Sequence, residues 1–312
     1  MKLNPMPALA VTASAIAGGT ATAQSAYQDA VMASSPSGYW RLDEAAGPAV
    51  NEVPGGLDGA PQGTISRSEP SAAPGLGSCA RFDGGWITVP FHAGLARGPE
   101  WTVELWMRRD PALTTFGFAL SSGNDLATGS MKFVMRPAEP CCSLIMANGQ
   151  FADARWHAYS ADQTLGWHHY AFVYSRSNDW CRMYVDGAIV DQQPIRVPFA
   201  ANQNPLVIGR HDNGGSFQYW YRGWIDEVAV YQRALDPAEI RSHVCAAETE
   251  DSICCRADLN QDGSTNGGDL GILLGFWGTG AEIFPPADIN GNGLVDGNDL
   301  SLLLASWVHC PG

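Results

Sequence analysis

The stretch Tyr221–Ile240, YRGWIDEVAVYQRALDPAEI, decides how the rest of the chain is read. Gly223 to Tyr231 is a β-branched and aromatic run without helical period, which predicts a strand. Asp236-Pro237-Ala238-Glu239 then sets an acceptor at the N-cap, Pro at the first helical position and Glu three residues after the cap. That is a capping box, and it predicts a short helix through about Val244 that closes a β domain.

Upstream of this phrase the chain is many short strands punctuated by Gly, Asn, Asp and Pro, the pattern of an all-β sandwich. Strands are predicted at Tyr39–Asp43, Ala80–Val89, Thr102–Arg109, Phe116–Ser121, Lys132–Arg136, His168–Ser175, Arg182–Val185 and Leu206–Arg210. Asp186-Gly187 sits between Met183-Tyr184-Val185 and Ala188-Ile189-Val190, where a tight hairpin needs positive φ at both turn positions. Most of Trp40, Trp86, Trp101, Trp106, Trp167 and Trp224 fall in strand patterns and are expected in the core or along its edges.

Taken together, SPSGYWRLDE (35–44), RFDGGWITVP (81–90), WTVELWMR (101–108), GWHHYAFVYS (166–175), CRMYVDGAIV (181–190), LVIGR (206–210) and the closing phrase resemble the laminin-G-like, concanavalin A-like jelly roll. The resemblance implies two antiparallel sheets around a shared core. It also implies a calcium site in the β domain, for which Asp226 is the residue carried over and Asp83 a weaker second. Asp226 equally suits a role as acceptor for loop backbone, because one carboxylate fixes no metal alone.

Related jelly rolls include glycoside hydrolases and polysaccharide lyases. A retaining glycosidase needs two carboxyl groups ~5 Å apart. No Glu-x-Asp-x-Glu run is present; Asp226 and Glu227 are neighbours expected on opposite faces, and Glu104 stands alone on its strand. No Gly-x-Ser-x-Gly elbow supports a nucleophilic serine. In His168-His169 one ring is expected toward the core and the other toward solvent. No catalytic residue is therefore assigned. Aromatics beside polar loops suit a sugar, whose C–H face is apolar while its hydroxyls need partners. The candidate ligand-binding residues are Trp180, His211, Asp212, Asn213, Tyr219, Trp220 and Tyr221.

The last sixty residues carry one phrase twice, DLNQDGSTNGGD (258–269) and DINGNGLVDGND (288–299). Oxygen-bearing side chains stand at loop positions one, three and five (Asp258, Asn260, Asp262; Asp288, Asn290, Asn292), with Gly at six and a carboxylate at twelve (Asp269; Asp299). Ser264 and Leu294 at position seven and Asp296 at nine complete the candidate metal ligands. Calcium takes six to eight oxygens at ~2.3–2.6 Å, so each loop is predicted to wrap one ion. Leu270, Leu273, Leu274 and Trp277 follow the first loop at helical spacing, and Leu300, Leu303, Leu304 and Trp307 repeat it after the second. Cys254-Cys255-Arg256 and Pro285-Pro286 leave no room for an entering helix.

This tail resembles the dockerin type I module, which implies docking to a cohesin. The usual partner-reading positions, ten and eleven, are Gly267, Gly268, Gly297 and Asn298 here, and the helices are uncharged. A different partner surface, or a calcium-stabilised tail for attachment or sorting, fits equally.

Lys2, the apolar run Ala8–Ala17 and Ala21-Thr22-Ala23 read as a signal peptide at 1–23, far short of the ~20 apolar residues of a span. All eight cysteines follow it, where disulfides are permitted. The favoured bridge joins Cys254 or Cys255 to Cys310 and clasps the calcium repeat. The formal charge of −14 excludes nucleic acid as the natural partner.

The chain thus divides into signal peptide 1–23, jelly roll 24–245, linker 246–253 and calcium module 254–312. It reads as a secreted, extracellular or cell-surface, non-catalytic attachment protein holding two Ca2+ in the tail. The jelly roll binds a glycan or protein surface, and the tail docks to a cohesin-like or cell-surface partner. The alternative is a dockerin-bearing polysaccharide-degrading enzyme with its site in the jelly-roll cleft.

Overall fold

The computed structural model describes residues 25–123, 130–136, 141–147, 151–157, 164–195, 203–212, 218–247, 257–260, 265–280, 283–290 and 292–307. Its strands are β1 (Gly38–Trp40), β2 (Ala60–Gln62), β3 (Ile65–Pro70), β4 (Ser78–Asp83), β5 (Trp86–Val89), β6 (Glu100–Arg109), β7 (Gly117–Ser122), β8 (Ser130–Arg136), β9 (Cys141–Ala147), β10 (Phe151–His157), β11 (His168–Ser175), β12 (Trp180–Val185), β13 (Ala188–Pro194), β14 (Leu206–Ile208), β15 (Arg210–Asp212), β16 (Gln218–Trp220) and β17 (Arg222–Tyr231). The helices are α1 (Ala26–Ala33), α2 (Pro237–Ala246), α3 (Gly267–Gly275) and α4 (Gly297–Ala305).

An eight-stranded sheet runs β13-β12-β11-β6-β17-β4-β3 with β1 paired to β17, and a seven-stranded sheet runs β10-β9-β8-β7-β14-β5-β2. All their pairings are antiparallel. β15 and β16 form a separate ribbon.

Glycines break two of the predicted strands. The run expected at Ala80–Val89 breaks at Gly84-Gly85, so β4 belongs to one sheet and β5 to the other. Gly84 has φ +85°, and a Cβ on Gly85 would stand 2.4 Å from the Thr64 carbonyl oxygen. Leu206–Arg210 breaks at Gly209, which ends β14 in the seven-stranded sheet and starts the separate ribbon; there φ is +88° and a Cβ would meet Phe82 at 2.4 Å. Both corners need a residue without a side chain. At the expected hairpin, Asp186 and Gly187 have φ of +49° and +80°, and Val185 pairs with Ala188.

Hydrophobic clusters lie on both faces of the eight-stranded sheet, which is why β6 is buried at nearly every position. Trp101, Val103, Leu105 and Met107 face the core between the sheets. Trp106 faces a second core beneath α1 and α2, with Tyr27, Val31, Tyr39, Val173, Tyr231, Ile240 and Val244. Helix α1 lies where only β structure was expected; Ser25 caps it, and Tyr27 and Val31, one turn apart, are buried. The capping box of α2 forms as read, Asp236 accepting from the Glu239 amide and Glu239 from the Asp236 amide.

Glu104 is not alone. It lies fully buried in this second core, accepting from the Tyr231 hydroxyl at 2.5 Å and facing His243 Nδ1 at 3.0 Å and His169 Nε2 at 3.3 Å. Burial by itself would raise its pKa, but the His243 charge and the hydrogen bonds of His169 and His243 outweigh that and hold the carboxyl well below the usual range. His243 is raised: burial opposes its charge, and Glu104 more than offsets the penalty. Nor does either histidine of the pair face open solvent as expected. His169 is buried beneath the helices, and His168 is partly buried against Asp186 at 2.6 Å.

The tail has its own small core of Ala257, Leu259, Leu273, Ala287, Ile289, Val295 and Leu303. Cys79 and Cys181 are buried free thiols, so not every cysteine is bridged, whereas Cys245 is disulfide-bonded. The favoured Cys254/Cys255–Cys310 bridge lies outside the described residues. No helix among the described residues is long and apolar enough to cross a membrane.

Removing the charge of Glu104 should strand His243 in an apolar layer. Glu104→Gln is expected to lower unfolding free energy by on the order of 3–5 kcal/mol, read from urea denaturation.

Candidate functional site

Alternation along β5 sends Ile87 and Val89 into the core and leaves Trp86 on the outer face of the seven-stranded sheet. There it meets the β15–β16 ribbon, in which Arg210 lies opposite Trp220. The two indole centroids are 5.2 Å apart at 58°, and the Arg210 guanidinium carbon is 4.2 Å from Trp86 and 5.1 Å from Trp220. All three side chains are partly exposed. Tyr219, the next ribbon residue, packs on Phe118 at 5.3 Å. Indole faces with a guanidinium among them offer an apolar surface and hydrogen-bond donors in one patch.

Of the other expected ligand-binding residues, Tyr221, His211 and Trp180 do not share this patch. Tyr221 is fully buried in the core, and His211 is buried against Phe118 at 5.0 Å, so neither reaches a ligand. Trp180 is on β12 of the other sheet, partly buried against the helix-side core and stacked by Arg182 at 3.9 Å. Asp212 is the last residue of β15, and Asn213 lies outside the described residues. Trp86 and Arg210 were missed because their strand patterns read as packing. The alternation of Ile87 and Val89 is the signal that places Trp86 outside.

Asp226 and Glu227 were expected on opposite faces, and a bulge overturns that. The pairing of β17 with β6 slips between Asp226 and Ala229, and Glu227 takes φ +52°. Asp226, opposite Trp106, therefore stays on the helix side, and Glu227 joins it by accepting from the Tyr39 hydroxyl and from Arg41 at 3.3 Å. Asp226 accepts from the Ser71 hydroxyl and the Glu227 amide. Burial, then the Glu227 charge, pushes the Asp226 carboxyl far up; burial likewise raises Glu227 against the pull of Arg41 and Tyr39.

A second line of groups has the spacing of a nucleophile relay: Ser34 Oγ to His243 Nε2 at 2.9 Å, then His243 Nδ1 to Glu104 at 3.0 Å. His243 and Glu104 are fully buried and Ser34 is 7% exposed, so the line ties the end of α1 to α2 and β6 without opening to a substrate.

In the second tail loop, backbone amides wrap the predicted ligands. Asp288 accepts from the Asn292 and Gly293 amides at 3.0 and 2.7 Å, and Asn292 from the Leu294 amide at 2.9 Å. Asp299 accepts from the amides of Asn290 and Asp296 at 3.0 and 2.8 Å. Asp296 is the N-cap of α4. Asp269 repeats the role of Asp299, accepting from Asn260 and Asn266 at 3.1 and 2.8 Å. Asp258 is partly buried, while Asp262 and Ser264 lie outside the described residues. Asp269 and Asp299 are fully buried, and among the described residues no cationic side chain pairs with either. An all-oxygen donor set around buried carboxylates suits a hard divalent cation. Among the described residues no three His, Cys, Asp or Glu side chains converge, so Asn and main-chain oxygens would have to complete the set.

The family described as the concanavalin A-like lectin/glucanases superfamily, of laminin-G type, matches residues 83–241, and the chain belongs to it. A search of curated proteins finds no match. Among solved structures, domain 4 of an extracellular arabinanase from Geobacillus stearothermophilus, solved with arabinotriose, is similar with TM-score 0.53 and 18% identity, over 68% of this chain and 98% of that one. The receptor-binding domain of botulinum neurotoxin mosaic serotype C/D is similar with TM-score 0.51 and 12% identity, over 66% of this chain and 49% of that one. At these identities the likeness is one of fold.

The raised carboxyls fix a sign for stability against pH. Asp226 and Glu227 stabilise fully below the unfolded carboxylate pKa of about 4 and lose that contribution as pH rises through their folded values; raised His243 acts likewise above about 6.5. Melting temperature should fall from mildly acidic to alkaline pH, and Glu227→Gln should make the decline shallower.

Proposed function

We propose that the chain is a secreted, non-catalytic attachment protein whose jelly roll binds a neutral glycan on the Trp86–Arg210–Trp220 patch. The observation that carries this reading is a partly exposed indole pair with a guanidinium against both rings, where β5 meets the β15–β16 ribbon. The solved arabinanase domain held arabinotriose, which makes that sugar the first probe. The buried carboxylates Glu104, Asp226 and Glu227 hold the fold together in this reading.

The tail is read as a calcium-dependent docking module. Asp258, Asn260, Asp262, Ser264 and Asp269 would hold one ion, and Asp288, Asn290, Asn292, the Leu294 carbonyl, Asp296 and Asp299 the other. Bound calcium supplies charge that neutralises buried carboxylates and fixes the loops to α3 and α4. What these helices then present is duplicated: Leu274 and Trp277 are 52% and 46% exposed, and Leu304 and Trp307, thirty positions on, 52% and 40%. Only Leu273 and Leu303 of the predicted apolar stripes are fully buried. Twin Leu-Trp surfaces suit an apolar partner surface, with Gly267, Gly268, Gly297 and Asn298 exposed nearby in sequence.

Calcium at about a hundred times its Kd should stabilise the tail by ~2.7 kcal/mol, and Asp288→Ala with Asp299→Ala should remove half the ions bound in calorimetry. Retention on arabinotriose or a wider neutral panel should be lost in Trp220→Ala without change in melting temperature. Product release from the same glycans would instead establish the enzyme reading.

A further inference from the structure

An aromatic–cationic row lies on the eight-stranded sheet. β17 pairs with β4 on one side and β6 on the other, with Trp224 opposite Arg81 and Arg108. The Arg108 guanidinium carbon is 4.0 Å from the Trp224 ring centroid and 5.5 Å from that of Trp167, and Arg81 lies 5.2 Å from Trp224. Trp224, Trp167 and Arg108 are half-buried.

Charge along this row does not close. Arg81 pairs with Asp110 at 2.8 Å, and Arg222 with Asp83 at 3.4 Å. Arg108 has no carboxylate partner among the described residues. Its Nε–H and the Trp224 Nε1–H are buried without an acceptor among the described residues. Two unsatisfied buried donors side by side are costly in a chain with fourteen excess negative charges, where a carboxylate partner was easy to supply. The indoles fix the guanidinium plane, so its fork is ordered before any ligand arrives.

We propose that Arg108, Trp224 and Trp167 form a second binding site, for a glycan bearing carboxylates. The planar fork accepts a carboxylate in two parallel hydrogen bonds, and the flanking indoles receive the apolar face of the ring that carries it. The site is on the opposite sheet from Trp86 and Trp220 and does not depend on that patch.

The test is titration of the full mature chain with trigalacturonate, followed by tryptophan fluorescence and calorimetry. Trigalacturonate should bind with an affinity that falls as salt rises. Arg108→Gln should weaken it by about tenfold or more, and Arg108→Lys, which keeps the charge but loses the fork, should weaken it too. Trp220→Ala should leave it unchanged, which separates this site from the neutral-glycan patch. Arg108→Lys is the deciding variant if Arg108→Gln melts early. No uptake of trigalacturonate, binding untouched by Arg108→Lys, or binding of dextran sulfate in place of the uronate would each overturn the assignment.

Discussion

A buried carboxylate governs the layered architecture. Glu104 lies between the eight-stranded sheet and the helices, where an isolated charge is costly enough that three partners are drawn from separate parts of the chain. Tyr231 comes from the adjoining strand, His169 from β11 and His243 from α2, and His243 in turn holds Ser34 at the end of α1. The helices therefore have one seating on the sheet, and their cover decides which parts of that face stay open.

The same covering layer separates structural from available chemistry. Asp226 and Glu227, read from sequence as a candidate metal residue and its neighbour, are drawn inward by the bulge and satisfied by Ser71, Tyr39, Arg41 and backbone. The side chains left near the surface are instead paired with aromatic rings. Arg210 lies against both Trp86 and Trp220 where the ribbon meets the seven-stranded sheet, and Arg108 beside Trp224 and Trp167 on the eight-stranded sheet. An acidic protein that keeps arginines on indole faces retains local positive charge despite its overall sign.

Legibility of the fold followed the range of the interaction behind each element. The α2 capping box and the Asp186-Gly187 hairpin are set by residues within four positions of each other, and both stand where the sequence put them. The short edge strands β2 and β3 were invisible because Ala60–Gln62 and Ile65–Pro70 are polar or Pro-bearing and none of their residues is fully buried. Helix α1 escaped because a two-residue apolar contact gives little periodic signal. In the site, aromatics beside loop signals pointed to Tyr219 and Trp220, but sequence could not show that Tyr221 turns inward while Trp86, far upstream in the chain, turns out to meet them.

Sequence alone determined the β-sandwich class, the helix that closes it and the doubled calcium-type phrase, because each is written in local spacing: period two, a capping box, twelve loop positions repeated. Tertiary structure decided which polar groups are spent on the fold and which remain for a ligand. Burial is a property of what packs above a residue: for Glu104 and Asp226 that cover comes from segments distant in the chain and is complete, whereas Arg108 stays half-buried.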